Sequence, residues 1–313
     1  MERIPEIPSN AERVESINGQ AAARKQTTAA PADLLLRAVH ERWDVYKRRR
    51  DQCARGNIAA VHEFRVSIRR LIAAVDFLLD LVPDADAANV RKKLKKQLSR
   101  LSAIRDTQVQ RAALEKFLPE HPGIAPLIEK LRRAEKRKGK DVAAIAAKPK
   151  QVTVRRMLAQ LEKQFNVEFG SAISPEGALL RALEKSSVDA AFRRVISRRD
   201  AMRRTKLSTI HKTRLAFKRF RYLIELLRPM LDDVSDRTLA ESRKVQTCMG
   251  TIHDIEVLQD TLNGYDWKGR TGVTDSMRVR RILQARRRGA IDELMALAKD
   301  IDTLWSVPEK GGE

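Results

Sequence analysis

Cysteine, aromatic side chains and long apolar runs are all scarce in this chain of 313 residues. Its only cysteines, Cys53 and Cys248, cannot form a disulfide framework and match no close-spaced metal motif, so we expect two buried thiols in a reducing compartment. Apolar runs such as FLLDLV at 77–82 are far shorter than the roughly 20 residues that span a membrane, and we find no secretory leader pattern. These absences predict a cytoplasmic protein that does not insert into a membrane.

Sequence motifs for phosphate chemistry are absent as well. The chain has neither a glycine-rich phosphate loop nor a Walker-type lysine motif. Asp76 and Glu225 are the first carboxylates to consider for catalysis or Mg²⁺ binding, but metal-assisted phosphoryl chemistry usually needs several converging carboxylates. We therefore expect both to orient arginine side chains, in a protein that is not an enzyme and holds neither a metal nor a cofactor.

Positive charge, in contrast, is present in large excess. The chain has 63 Lys and Arg against 41 Asp and Glu, which gives a formal net charge of +22. Such a field attracts polyanions, among them nucleic acid, an acidic membrane surface or a phosphate polymer. Nucleic acid is the weaker candidate, because aromatic residues make up only 4% of the chain and are not interleaved with the cations as stacking platforms.

The pattern of apolar residues predicts an all-α fold. From Ala32 onward the spacing is helical and no segment shows convincing strand alternation, whereas the preceding residues lack periodicity. We divide the chain into a loosely ordered tail, a first helical half, a connecting helix with a linker, a second helical half and a short second tail, at residues 1–31, 32–150, 151–177, 178–305 and 306–313.

A long internal repeat relates the two halves. Three pairs of landmarks are separated by 149 positions and a fourth pair by 148. These pairs are His62 and His211, Asp51 and Asp200, Gly123 and Gly272, and, at 148, Asp106 and Asp254. The repeat predicts two pseudosymmetric four-helix bundles, related by a pseudo-twofold axis, around a shared basic cavity.

Two stretches carry the repeat most clearly, VHEFRVSIRRL at 61–71 and IHKTRLAFKRF at 210–220. On a helical wheel each has an apolar arc and, beside it, a stripe of cations. The apolar arcs comprise Val61, Phe64, Ile68, Leu71, Val75 and Leu78 in the first half, and Phe217, Phe220, Ile224 and Leu227 in the second. The stripes comprise His62, Arg65 and Arg69, and His211, Arg214, Lys218 and Arg221. The remaining arcs, expected to face water, carry Glu63, Ser67, Arg70, Lys212 and Arg219.

One such stripe would be read as ordinary cationic side chains at the edge of a buried face. Its duplication indicates that two stripes face each other across one crevice, where like charges repel unless an anion neutralises them. Lys96 and Lys244, separated by 148 positions, are expected to extend the wall. Asp106 and Asp254 are expected either to cap a helix start or to pair with a stripe arginine.

The motifs VHEFRVSIRRL, LSAIRDTQV, IHKTRLAFKRFRYLIELL and MGTIHDIEVL together resemble the CHAD domain, the conserved histidine α-helical domain. The resemblance covers about residues 32–305 and implies two four-helix bundles around a central basic pore that binds inorganic polyphosphate, with association with polyphosphate granules in some bacterial members. It implies that His62, Arg65, Arg69, Lys96, Arg105, His211, Arg214, Lys218, Arg221 and Lys244 contact the anion. Ile72 and His253 depart from the family pattern, since both replace expected basic positions.

The functional expectation is therefore non-catalytic binding of polyphosphate, with targeting to polyphosphate granules. Some members of the family carry an additional triphosphate-processing tunnel domain, but this chain has no strand-borne E-x-E-x-K pattern. A nucleic-acid-binding protein and, less favoured, a metal-dependent polyphosphate-processing enzyme stay as alternatives. The oligomeric state is left open.

Overall fold

The computed structural model describes residues 30–55, 57–169, 175–231 and 234–307, and these residues form ten α-helices and no strand. The helices are α1 (Pro31–Ala54), α2 (Val61–Leu81), α3 (Ala85–Glu115), α4 (Ala125–Gly139), α5 (Val142–Ala146), α6 (Gln151–Phe169), α7 (Pro175–Asp200), α8 (Leu207–Leu227), α9 (Asp236–Asn263) and α10 (Gly269–Leu297). The all-α prediction is confirmed. Most of the two expected tails, 1–31 and 306–313, lies outside the described residues.

The order of the helices repeats: α1–α4 correspond to α7–α10, with α5 and α6 between them. Equivalent helix starts are capped alike, because Asp84 accepts a hydrogen bond from the backbone N–H of Ala87 at 2.6 Å and Ser235 accepts one from Thr238 at 3.0 Å. Neither described hydrophobic core belongs to one half alone, however. The main core unites α1–α3 with α7–α9, and a smaller core unites the end of α3 and α4 with the end of α9 and α10. The division into two separate bundles stays a prediction.

Helices α2 and α8 cross at the centre of the main core. The apolar arcs predicted on both helices are confirmed, since Phe64, Ile68, Phe217 and Phe220 are all completely buried. The expectation that Ser67 faces water is wrong, because Ser67 is buried and donates its hydroxyl to the Phe64 carbonyl at 2.8 Å. Glu63 is exposed as expected, and the half-exposed Arg70 reaches Glu225 on α8 at 3.2 Å.

The smaller core brings two landmark glycines together. The backbone N–H of Gly123 donates to the carboxylate of Asp275 on α10 at 2.8 Å. A Cβ added at Gly123 would lie 2.7 Å from the Thr271 carbonyl oxygen, and one added at Gly272 would lie 3.5 Å from the Gly123 carbonyl oxygen. Gly123 therefore allows the close approach of the two halves, whereas a Cβ at Gly272 would make only an ordinary contact.

None of the described helices combines the length and the apolar character needed to cross a bilayer. Cys53 and Cys248 are free and buried, as expected, and burial raises the pKa of each thiol to about 11. Thiols with such pKa values carry little thiolate at neutral pH, so both act as packing residues.

One acidic side chain lies inside the main core without compensation. Glu184 on α7 is completely buried, and neither of its carboxyl oxygens has a hydrogen-bond partner among the described residues. Burial raises its pKa to about 7. The position 149 residues earlier is Leu35, which is also completely buried. The second half therefore carries a carboxyl group where the first half carries a leucine.

Substitution Glu184→Leu is expected to stabilise the fold above pH 7. The carboxyl group holds its proton in the folded state up to about pH 7, but loses it near pH 4.5 when unfolded, so stability falls as the pH rises through this window. We expect Tm at pH 8 to increase by on the order of 5 °C and Tm at pH 4.5 to change much less. Thermal unfolding followed by circular dichroism at both pH values measures this, and an equal gain at both would contradict the assignment.

Candidate anion-binding site

The two predicted cationic stripes meet where α2 and α8 cross. Arg65 and Arg69 on α2 and Arg214 and Lys218 on α8 lie close enough that the three arginines depress the pKa of the lysine. We call these four residues the central cluster. The stripes of the two halves thus converge as predicted, because the helices that carry them cross directly.

Lys218 is the most perturbed cation of the central cluster. Its pKa is lowered to about 7, first by burial and then by the charges of Arg214, Arg69 and Arg65. No carboxylate of the described chain lies within ion-pair distance of its ammonium group. The ammonium group of Lys218 therefore titrates around neutral pH, and an arriving anion would favour its charged form.

The arginines of the central cluster are only partly satisfied. Arg65 is 8% exposed, donates to the Ser102 hydroxyl at 3.1 and 3.2 Å, and lies 3.8 Å from Asp106. Burial and the neighbouring Arg69 lower its pKa to about 10. Arg214 has a buried Nε without a partner among the described residues, and burial lowers its pKa as well. These guanidinium groups keep donors for a further acceptor.

Two carboxylates are shared by both halves. Asp106 on α3 and Asp254 on α9 each act on the pKa of Arg65 and of Arg214, so both lie between the crossing helices and their neighbours. The prediction that Asp106 pairs with a stripe arginine is confirmed by its contact with Arg65. The alternative that these residues cap helix starts is wrong, because both lie well inside long helices. Two carboxylates cannot neutralise four cations.

A pair of basic side chains flanks the central cluster on each side. In the first half, His62 lies near Arg105, and burial together with Arg105 lowers the pKa of His62. In the second half, the rings of His211 and His253 are 5.6 Å apart, and burial together with Arg214 lowers the pKa of His253. His253 occupies the place of Arg105, so the departure noted in the sequence makes the second flank sensitive to pH.

Arg221 is held by its own neighbours. It is 7% exposed, its Nη1 contacts Glu225, and its Nε donates to Gln246 at 2.6 Å. The expectation that Glu225 orients arginines is confirmed, since it contacts both Arg221 and Arg70. Asp76, its counterpart, contacts Arg91 instead, outside the stripes. Arg221 therefore contributes charge to the site but has few donors left for a ligand.

Lys96 and Lys244, which are expected to extend the site, are exposed. Their neighbours Lys95 and Arg243 border clefts beside the crossing, and a contact of Lys96 or Lys244 with the anion stays a prediction. Lys95 and Arg243 are also 148 positions apart, so the repeat offered the same signal for both pairs. The two pairs differ only in helical phase, because Lys95 lies on the same face of α3 as Ser102 and Asp106, whereas Lys96 does not.

One cleft reaches the central cluster, and a second lies at the flank formed by His211 and His253. One cleft of about 600 Å³ is bordered by Arg69, and another of about 390 Å³ is bordered by His211 and His253. In the part of the chain that the structure describes, no three His, Cys, Asp or Glu side chains are grouped as a metal site. The geometry therefore offers access for an anion, and the expectation of one central pore stays a prediction.

The structure defines a class of duplicated all-α proteins with basic residues gathered at the crossing of the repeated helices. The family model of the CHAD domain matches residues 37–263, and the chain belongs to the CHAD-domain family. Its fold is similar to the crystal structure of the CHAD domain from the plant Ricinus communis, with 19% identity and a TM-score of 0.66 over 87% of this chain and 92% of that chain. It is also similar to PptA from Streptomyces chartreusis, with 14% identity and a TM-score of 0.64 over 88% of this chain and 100% of that chain. A comparison with curated proteins gives no match.

Substitution Lys218→Met is expected to stabilise the protein in the absence of anions. The folded pKa of about 7 lies below the ordinary value of 10.5, so the unfolded chain binds more protons between these values and the folded state is penalised below them. We expect Tm at pH 7 to rise by on the order of 3 °C, and the gain to vanish near pH 10.5. Thermal unfolding in phosphate-free buffer measures it. Lys268→Met, at an exposed position, is the control, and a loss of stability in K218M would contradict the assignment.

Proposed function

We propose that this protein binds inorganic polyphosphate at the central cluster without converting it chemically. The observation that carries the proposal is the state of Lys218, which lies among three arginines with a pKa near 7 and no carboxylate of the described chain in contact. A site of this kind is least favourable when empty and improves when a multiply charged anion enters. The membership of the CHAD-domain family supports the same function.

Each residue type of the site has a distinct part in binding. The guanidinium groups of Arg65, Arg69 and Arg214 present paired donors that match the non-bridging oxygens of phosphate. Lys218 contributes a point charge that the anion restores by raising the lysine pKa. Binding releases counterions condensed on the polymer, so affinity falls steeply with salt.

A phosphate chain fits the site better than duplex nucleic acid. The central cluster lies at the crossing of two core helices, and Arg65 is almost completely buried, so a rigid duplex cannot reach it as it reaches a protruding recognition helix. The four residues of the central cluster include no aromatic side chain on which bases could stack. A thin, flexible polyanion can reach the buried cations and needs no aromatic side chain for stacking. Association with polyphosphate granules follows from the same binding.

Binding without catalysis is favoured by the state of the nearby carboxylates. Glu225 is occupied by Arg70 and Arg221, and Asp76 is occupied by Arg91. Asp106 and Asp254 lie among arginines that compete with a cation for the same oxygens. A Mg²⁺ ion would have to displace guanidinium groups from Glu225, Asp76 and Asp106, and at Asp254 it would meet the positive charges of Arg65 and Arg214.

Replacing one arginine from each half tests the proposal. We expect Arg69→Ala combined with Arg214→Ala to weaken the binding of long-chain polyphosphate by about 100-fold, because the variant lacks two guanidinium groups that donate charge-assisted hydrogen bonds. Isothermal titration calorimetry at fixed salt measures the affinity. The matched control combines Arg132→Ala with Arg237→Ala, which removes the same charge from exposed positions and should change affinity only slightly. Equal reductions in both variants would contradict a local site, as would displacement of polyphosphate by duplex DNA at equal phosphate concentration.

Binding is also expected to take up protons at pH 8. Lys218 is mostly neutral there in the free protein and becomes charged beside phosphate, so about one proton should be bound per site, with affinity falling as the pH rises from 7 to 9. Calorimetric titration in two buffers of different ionisation enthalpy gives the proton count. Lys218→Met should lower that count by about one. An unchanged count in K218M would remove Lys218 from the site.

A further inference from the structure

A second group of cations lies in the groove between α7 and α8, outside the central cluster. Arg194 and Arg198 are one turn apart on α7, and Lys212 and Arg219 are two turns apart on α8. All four border one cleft of about 270 Å³, which no carboxylate of the described residues lines. We call these four residues the groove cations. The helical wheel assigns Lys212 and Arg219 to an ordinary solvent face, but the cleft gives them facing partners on α7.

The backbones that carry these cations are fixed to each other. Thr213 is completely buried, and its hydroxyl donates to the Arg198 carbonyl at 3.0 Å. This bond joins α7 to α8 one residue away from Lys212. Arg198 and Lys212 are thus held side by side by the fold, although their like charges repel.

In the first half, an ion pair neutralises the charge at the equivalent of this groove. The repeat of 149 positions relates Arg198 to Arg49 and Lys212 to Glu63, and Arg49 and Glu63 form an ion pair at 3.8 Å. In the second half the acid is replaced by a base, and Arg194 takes the place of Val45. Within the described ranges, no carboxylate lies within ion-pair distance of Arg194, Arg198 or Lys212. The second half therefore gathers charge where the first half cancels it.

A continuous surface connects the groove to the central cluster. The cleft of about 600 Å³ is bordered by Arg69 of the central cluster and also by Arg194 and Arg219 of the groove cations. Two carboxylates, Asp76 and Asp80, border it as well. Asp76 contacts Arg91 and Asp80 lies 3.4 Å from Arg219, so both are paired with arginines.

The equivalent passage in the first half is narrower. The repeat relates Ala190 and Ala191, which border the large cleft, to Glu41 and Arg42. In the first half these long side chains border a cleft of only about 270 Å³, and the Arg42 guanidinium donates to the backbone carbonyl of Glu225. Small residues thus open one side of the duplicated site, and large charged residues restrict the other.

We infer that a bound phosphate chain leaves the central cluster past Arg69 and continues along the α7–α8 groove, where the groove cations bind its next phosphates. This inference rests on the proposed function and extends it. The groove cations lie in the second half alone, so the bound chain extends from the central cluster on that side only, and the protein discriminates long polyphosphate from short oligophosphates that fill only the central cluster.

Substitutions that restore first-half residues test the track. Lys212→Glu would recreate the Arg49–Glu63 pair with Arg198, and Arg194→Val would reproduce Val45. We expect each variant to weaken the binding of long-chain polyphosphate by about tenfold, and to make the dependence of log K on log salt shallower by about 0.7 for each phosphate that the variant no longer neutralises. The affinity for tripolyphosphate should stay within about twofold, because this ligand is held by the central cluster. Calorimetry of both variants of the full chain with both ligands gives the four affinities.

The outcomes separate the inference from the function on which it rests. The control is Lys268→Glu, which changes charge as Lys212→Glu does at an exposed position and should leave both affinities nearly unchanged. Long-chain affinity that is unchanged in K212E and R194V, or lowered equally by K268E, overturns the track alone. Equal reductions for tripolyphosphate and the long chain also overturn it, because the effect would then lie in the central cluster. If the unaltered protein binds neither ligand, the proposed function fails as well.

Discussion

The site depends on like charges that the core packing keeps close together and partly out of water. Lys218 cannot move away from Arg69 and Arg214, because the apolar arcs that bury Phe64, Ile68 and Phe217 set where α2 and α8 cross. The lowered pKa of Lys218 reflects the repulsion among these charges, since loss of the lysine proton removes one positive charge from the empty site. Hydrophobic packing elsewhere in the fold thus maintains the charge repulsion that a bound anion relieves.

The carboxylates near the crossing limit this cost without removing it. Asp106 and Asp254 each act on arginines of both halves, so two negative charges serve four positive ones. Glu225 binds Arg70 and Arg221 farther along the same stripe of α8, which commits those guanidinium groups to the fold. Charges committed to structure and charges left for binding therefore occupy successive turns of one helix face.

Helical periodicity was sufficient to predict the fold class and the direction of the stripes, because burial of the apolar arcs depends on one helix at a time. It was insufficient wherever a second helix decides the environment. Ser67 lies on a polar arc but is buried, and Arg70 on the same arc contacts Glu225 of α8. Lys95 and Lys96 obey the same repeat, and only the position of α3 against α2, marked by the contact of Arg65 with Ser102, distinguishes them. The sequence around Glu184 does not indicate that this glutamate is buried, yet it occupies the core position equivalent to Leu35.

The differences between the halves carry as much functional information as their likeness. A strictly twofold site would hold a polymer equally in both directions, since every contact on one side would recur on the other. His253 in place of Arg105 gives one flank a side chain that is uncharged at neutral pH, because burial and Arg214 lower its pKa, whereas the other flank keeps the guanidinium group of Arg105. Glu63 closes an ion pair in the first half, and its counterpart Lys212 leaves Arg198 beside another cation. The repeat places cations on both sides of the crossing, and these differences between the halves make the two sides unequal.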